Sequence, residues 1–294
     1  MGSGFSSIFS DNNDKAPASS SLQCLGDLPE NFLAMVLEHF DPPEICHLAL
    51  VNRAFYQASC ADLLWESKLP ENYGVLIKKL LMLHEDDSSF RCLRKKDIYS
   101  RLCYPIRISN GTKEVWNEKK RGGICMLVSW KGMKITGIHD RRYWTHVSTL
   151  QSRFHTIAYL KQIWWLEVEG DIDFDFPPGN YSLYFRLYLG KVSPRQIQHG
   201  SFNNDQVHGW AINPVCFRFW VSNGEHAMSK HFLNEQGKWI CYHVGDFLVD
   251  RDCNYESTKI KFSMTQIDCT HQKGGLSLDS VLICPRGINT CHLV

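Results

Sequence analysis

Tyr181-Ser182-Leu183-Tyr184-Phe185-Arg186-Leu187-Tyr188-Leu189 is the stretch whose reading sets the fold. In an extended chain successive side chains point to opposite faces, so Tyr181, Leu183, Phe185, Leu187 and Leu189 share one face. Ser182, Tyr184, Arg186 and Tyr188 share the other. The same period of two recurs where Val215, Phe217, Phe219 and Val221 alternate with Cys216, Arg218 and Trp220, and where Ile260, Phe262 and Met264 alternate with Lys259, Lys261 and Ser263. Each run reads as a half-buried strand. Turn signals punctuate them: Asn110-Gly111, Asn223-Gly224 and Pro177-Pro178-Gly179-Asn180. Many short strands with few helical segments predict an antiparallel β-sandwich over residues 105–287.

Upstream of that region the period is helical. Over 22–69, Pro29 suits a first helical position, and Phe32, Leu33, Val36, Leu37 and Phe40 recur at a spacing that builds one apolar face. Asp41-Pro42-Pro43-Glu44 stops this helix and opens the next, with Asp41 as cap, Pro42 at the first position and Glu44 at the capping-box place. Ile45, Leu48 and Ala49 are its expected buried stripe, and a third run carries Phe55 and Ala58 before a last turn with Leu63, Leu64 and Trp65. Residues 70–104 read as a helical spacer, with Leu76, Ile77, Leu80 and Leu81 on one face. Ser88 or Ser89 is a candidate cap for a further helix through Phe90, Leu93 and Ile98. The basic run Arg94-Lys95-Lys96 is expected to be a solvated face rather than a nucleic-acid contact. Residues 1–21 and 288–294 are expected to be tails, the first being rich in Ser, Gly, Asn and Asp.

The 294-residue chain has a formal net charge of +1, so no global field draws it to nucleic acid or an anionic membrane. It lacks a run of eighteen apolar residues, and its start shows no basic region followed by an apolar one, so neither a spanning helix nor a secretory signal is expected. The twelve cysteines are scattered, with no C-x-x-C pair, and read as reduced thiols of a cytoplasmic and nuclear protein. The sequons at Asn110 and Asn180 are then unused. Met1-Gly2-Ser3-Gly4-Phe5-Ser6 fits the myristoylation pattern at Gly2, and a single acyl chain would anchor only weakly.

Two resemblances organise these observations. Leu25-Gly26-Asp27-Leu28-Pro29-Glu30, the stripe Leu33, Val36, Leu37, then Asp41-Pro42, Leu48 to Arg53 and the closing Trp65 resemble an F-box. That resemblance implies docking to a Skp adaptor, and through it to a cullin ubiquitin ligase of the SCF type, using Leu25, Leu28, Pro29, Leu33, Val36, Leu37, Leu50 and Trp65 as contact or supporting residues. Asn110-Gly111-Thr112 with Trp116, Ile135-Thr136 followed by Tyr143-Trp144, Ser152-Arg153-Phe154, Trp165-Leu166-Glu167-Val168, Gly237-Lys238-Trp239 and Gly274-Gly275-Leu276 resemble the phloem-protein-two, or Nictaba-type lectin, family. This implies a jelly-roll-like sandwich that binds N-acetylglucosamine oligomers or N-glycan cores in its lectin members. The expected fold class is therefore α+β and multidomain, an all-α F-box followed by an antiparallel sandwich.

The chemistry-bearing residues point to binding. No G-x-S-x-G, phosphate-loop, dinucleotide or H-E-x-x-H pattern occurs. Glu167, Glu169, Asp171, Asp173 and Asp175 alternate and so share one strand face, the reading of a solvated edge rather than a catalytic pair or calcium site. No cofactor or metal is expected. Among the tryptophans, Trp116, Trp164, Trp165, Trp220 and Trp239 read as structural, while Trp130, Trp144 and Trp210 stay open between core and binding platform. Asp140, Arg141, Arg142, Tyr143 and Trp144 form the candidate target- or glycan-binding loop, where an exposed Trp144 ring would stack on a ligand. Sugar-binding relatives have Ile-Thr-Trp where this chain has Ile135-Thr136-Gly137, and a bidentate arginine suits a carboxylate, phosphate or peptide contact at least as well as a neutral sugar. The leading expectation is a non-catalytic substrate receptor with a protein or glycoprotein target. The alternatives are a cytoplasmic lectin and a hydrolase using the acidic strand.

Overall fold

The computed structural model describes residues 28–81, 93–120, 122–192, 207–250 and 257–290. Among the described residues six α-helices come first: α1 (Glu30–Leu37), α2 (Pro42–Leu48), α3 (Arg53–Ala58), α4 (Asp62–Glu66), α5 (Tyr73–Leu81) and α6 (Lys95–Leu102). Their starts follow from local chemistry. The Asp41 N–H donates to Glu44 Oε2 at 3.1 Å, closing one half of a capping box before α2, and Asn52 Oδ1 accepts from the Phe55 N–H at 2.9 Å before α3. Ser88 and Ser89 lie outside the described residues, as do Gly2 and Leu25; α6 itself opens at Lys95, with Arg94 as its extended cap residue.

The basic run is not a free solvated face. Arg94 pairs with Asp97, Lys95 meets the Tyr73 hydroxyl and Glu66, and the Lys96 ammonium lies 5.5 Å from the Trp65 ring. These contacts hold α6 against α4 and α5.

Thirteen strands follow among the described residues: β1 (Ile106–Ile108), β2 (Lys113–Asn117), β3 (Ile124–Ser129), β4 (Lys134–Ile135), β5 (Trp144–Ser148), β6 (Thr156–Leu160), β7 (Leu166–Phe174), β8 (Gly179–Leu189), β9 (Val215–Val221), β10 (His226–His231), β11 (Trp239–Val249), β12 (Thr258–Gln266) and β13 (Leu276–Pro285). Eight form one antiparallel sheet centred on β13. Its one edge pairs with β3 and β6, its other with β8, which then pairs with β11. The second sheet runs β10-β9-β12-β7-β4.

The two sheets meet through the apolar faces read from the sequence. Phe185 packs on Phe217 at 5.2 Å and on Phe262 at 5.8 Å, and Phe219 packs edge-on to Phe247 at 5.5 Å. Gly170 is required in β7, because a Cβ there would fall 2.2 Å from Phe262 Cζ. At Asn110-Gly111 the chain adopts φ of 54° and 77°, the left-handed turn that lets β1 pair with β2. After β13, Ile288 packs beside Trp116 and Leu127, so the expected tail begins docked on the sandwich.

A continuous buried core links helices and sandwich. Trp65 and Tyr99 pack at 5.1 Å, and the Tyr99 hydroxyl donates to Lys119 O at 3.0 Å. Asp175, the fifth residue of the acidic alternation, is a tie rather than an edge charge. Its carboxylate meets Lys79 Nζ at 3.0 Å and its carbonyl accepts from Asn72 Nδ2 at 2.9 Å. The helical spacer thus fixes the orientation of one unit on the other.

Candidate functional site

The N-terminal helices are short, and a bundle of this size cannot cover all its apolar residues by itself. In α1 the inward face is Leu33, Ala34 and Leu37, all buried. Phe32, Met35 and Val36 fall at i, i+3 and i+4 on the outward side, where Phe32 is 58% exposed. Leu50 after α2 is 83% exposed and Leu63 on α4 is 71% exposed; Val51 and Tyr56 are also open. Leucines at such exposure are unusual enough in several neighbouring elements to mark a contact surface.

This geometry divides the residues implied by the F-box resemblance. Leu28, Pro29, Val36 and Leu50 face solvent. Leu33, Leu37 and Trp65 do not; they are buried in the chain's own core, and Trp65 Nε1 donates to Ser59 O at 2.7 Å. They support the surface from beneath. The expected single apolar face of Phe32, Leu33, Val36, Leu37 and Phe40 is in fact two faces, because five such residues on two turns span more of the helix than one partner covers. Phe32, Met35 and Leu63 are surface residues the sequence reading passed over as contacts.

The loop from Gly137 to Tyr143 is a series of turns between β4 and β5. The Asp140 N–H donates to Gly137 O at 2.9 Å and the Trp144 N–H to Asp140 O at 3.0 Å. Asp140 is gripped by Arg142 through Nη2 at 2.6 Å and Nε at 3.0 Å, and also accepts the Arg142 N–H at 2.9 Å. That side-chain hydrogen bonding holds the Asp140 carboxyl below its ordinary value. The Arg142 guanidinium lies 5.5 Å from the Tyr143 ring, and Lys161 Nζ donates to Arg141 O at 2.8 Å.

Trp144 corrects the expectation of an exposed stacking ring. It is 1% exposed, with Nε1 donating to Thr136 O at 3.0 Å, because it opens β5 with its ring turned into the core. Position 137 offers no replacement. Gly137 sits at φ 69°, and a Cβ there would press on Tyr143 Cδ2 at 3.0 Å. With Arg142 spent on Asp140, the loop presents Arg141 as its one uncommitted guanidinium.

Three of the tryptophans expected to be structural lie at the surface instead. Trp130 and Trp210 are buried, whereas Trp164, Trp165 and Trp220 are exposed; Trp116 is buried as expected, and Trp239 is half-buried with the Arg186 guanidinium 4.2 Å from its ring. A signal for Trp220 was available. It shares the outward parity of Cys216 and Arg218, opposite Val215, Phe217 and Phe219.

A short helical module with an uncovered apolar surface, rigidly joined to an antiparallel β-sandwich, defines a binding and adaptor class of protein. Sequence comparison assigns it more closely. The F-box-like family matches residues 25–69 and the Phloem protein 2 family matches residues 123–285. The chain is 50% identical to F-box protein PP2-A12 of Arabidopsis thaliana over 280 residues, covering 95% of this chain and 92% of that one. It is 48% identical to F-box protein PP2-A11 of the same plant, covering 97% and 96%. This chain belongs to the phloem protein 2 family of F-box proteins. Among solved structures, a family 35 carbohydrate-binding module from Clostridium thermocellum superposes with a TM-score of 0.31 at 8% identity, covering 54% of this chain and 97% of the module.

Proposed function

We propose that this protein is the substrate-recognition subunit of an SCF-type cullin ubiquitin ligase. Its helical module docks a Skp adaptor, and its sandwich holds a protein or glycoprotein target. The chain does no bond chemistry itself; it sets the distance and orientation between target and ligase. The observation that carries this reading is the set of uncovered apolar side chains at F-box positions, Leu28, Val36 and Leu50 together with Phe32 and Leu63. The inward residues Leu33, Leu37 and Trp65 keep that surface in shape. A rigid receptor suits such a role, and the ties of Asp175 and Tyr99 between the two units supply one.

We place the protein in the cytosol and nucleus, in keeping with the free cysteines of the described residues. The glycan-capture alternative draws no support from the 137–144 loop, where one stacking ring is replaced by Gly137 and the other is buried. The test is co-purification of a Skp adaptor and cullin with the full chain from plant cells. Leu50→Asp/Leu63→Asp should remove the adaptor while leaving the circular dichroism spectrum unchanged. Undiminished adaptor recovery in that variant would overturn the assignment.

A further inference from the structure

The outer face of the β10-β9-β12-β7-β4 sheet carries a groove of about 680 Å³ whose charges are sorted by strand. β7 contributes carboxylates: Glu167, Glu169, Asp171 and Asp173. On β12, Lys261 stands opposite Asp171 and Lys259 opposite Asp173. On β9, Trp220 stands opposite Lys261, and Arg218 opposite Ser263. An acidic row thus runs beside a basic one, a strand spacing of about 4.8 Å apart. Among the described residues, Asp171, Asp173, Lys259, Lys261 and Arg218 make no side-chain ion pair, and Glu169 reaches Lys134 only at 4.0 Å.

Apolar side chains frame these rows. Trp220 is 45% exposed. Trp165, whose Nε1 lies 3.5 Å from Glu167 Oε2, and Ile267 stand exposed at one end, and Met228 is exposed on β10 opposite Arg218.

We propose that this groove is the target site of the sandwich, and that it takes an extended segment of a target protein in which basic and acidic side chains alternate beside an apolar residue. The inference rests on the reading of the chain as a receptor and deepens it. In an extended segment laid along the strands, alternate side chains point to opposite sides and repeat every 6.8 Å or so, the same repeat as Glu169, Asp171 and Asp173 along β7. Basic side chains then lie over β7 and acidic ones over β12 and β9, the methylenes of the acidic ones crossing the Trp220 ring, with the apolar residue against Trp165 and Ile267. A neutral sugar would cover these fixed charges without replacing their hydration, and the exposed aliphatic ends of Ile267 and Met228 have no use for a hydroxyl-covered partner.

The test uses the full chain and fluorescence anisotropy. The probe is a labelled nine-residue peptide, one leucine followed by four lysine–glutamate pairs. Its comparators are an isomer with the four lysines and four glutamates in separate blocks, and N-acetylglucosamine oligomers as competitors. The alternating peptide should bind at least tenfold more tightly than the blocked isomer. Trp220→Ala and Lys261→Glu should each weaken it about tenfold, while Arg141→Ala leaves it unchanged and all three variants keep the parent spectrum. Equal binding of the two peptides, indifference to Trp220→Ala, or loss of binding in Arg141→Ala would overturn the assignment. Sugar oligomers bound by the parent and released by Trp220→Ala would overturn it in favour of a glycan platform. Adaptor co-purification on the same preparations separates the two readings: adaptor without peptide binding removes the groove and leaves the ligase role, and peptide without adaptor does the reverse.

Discussion

Leu33 and Leu50 belong to the same F-box resemblance and lie on opposite sides of the energetics, so truncating each to alanine separates support from contact. Leu33 is fully buried in α1, and removing its branched end from a packed core costs about 2–5 kcal/mol through lost transfer energy and a residual cavity. Leu50 is 83% exposed, so Leu50→Ala should leave stability within about 0.5 kcal/mol. Its cost appears on binding. Burying a leucine side chain contributes about 1.5–3 kcal/mol, which at about 1.4 kcal/mol per decade weakens adaptor affinity about 10- to 150-fold. Leu28→Ala/Pro29→Ala should behave like Leu50→Ala, since both residues are open. Urea unfolding followed by circular dichroism gives the first quantity, and isothermal titration with the purified adaptor gives the second. The reasoning is refuted if Leu50→Ala unfolds the helices as readily as Leu33→Ala, or if it binds the adaptor as tightly as the parent chain.

Three further outcomes are expected. Trp144→Ala should destabilise the sandwich by about 3–5 kcal/mol in urea unfolding, as deletion of a buried ring does, and a near-neutral effect would show the ring to be at the surface after all. The Asp140 carboxyl should titrate below 3.8 by carbon-detected NMR and return to the ordinary range in Arg142→Gln. Because its folded value is depressed, the clamp is complete above the unfolded value and is lost as pH falls through the folded one, so the loop should loosen only in acid; an unchanged midpoint in the variant would reject the clamp. Protein expressed in plant cells should carry the added mass of a myristoyl chain, absent in Gly2→Ala, and an unmodified parent would make the Gly2 pattern fortuitous.

Much of the architecture was legible along the chain because the signals are local. Alternation at 181–189, 215–221 and 260–264 is written in single strands, and Asp41 to Glu44 carries its own stop and start. These patterns state which side chains share a face. They do not state what covers it. Phe32 and Leu33 are adjacent in an apolar run, and only the packing of α1 against α3 and α4 decides that Leu33 goes in and Phe32 stays out. Trp144 sits in a polar stretch, yet the turns that bury it depend on Gly137 and on Asp140 closing over Arg142. The groove is the extreme case. Glu169, Arg218 and Lys261 lie far apart in sequence and become neighbours only because β12 pairs with β7 on one edge and β9 on the other. Sequence by itself determined most of the elements and the two segments that resemble known families, since each rests on signals within a few residues. The tertiary structure alone decided which rings are buried and which charges stand in rows, since burial and cross-strand register are properties of long-range contacts.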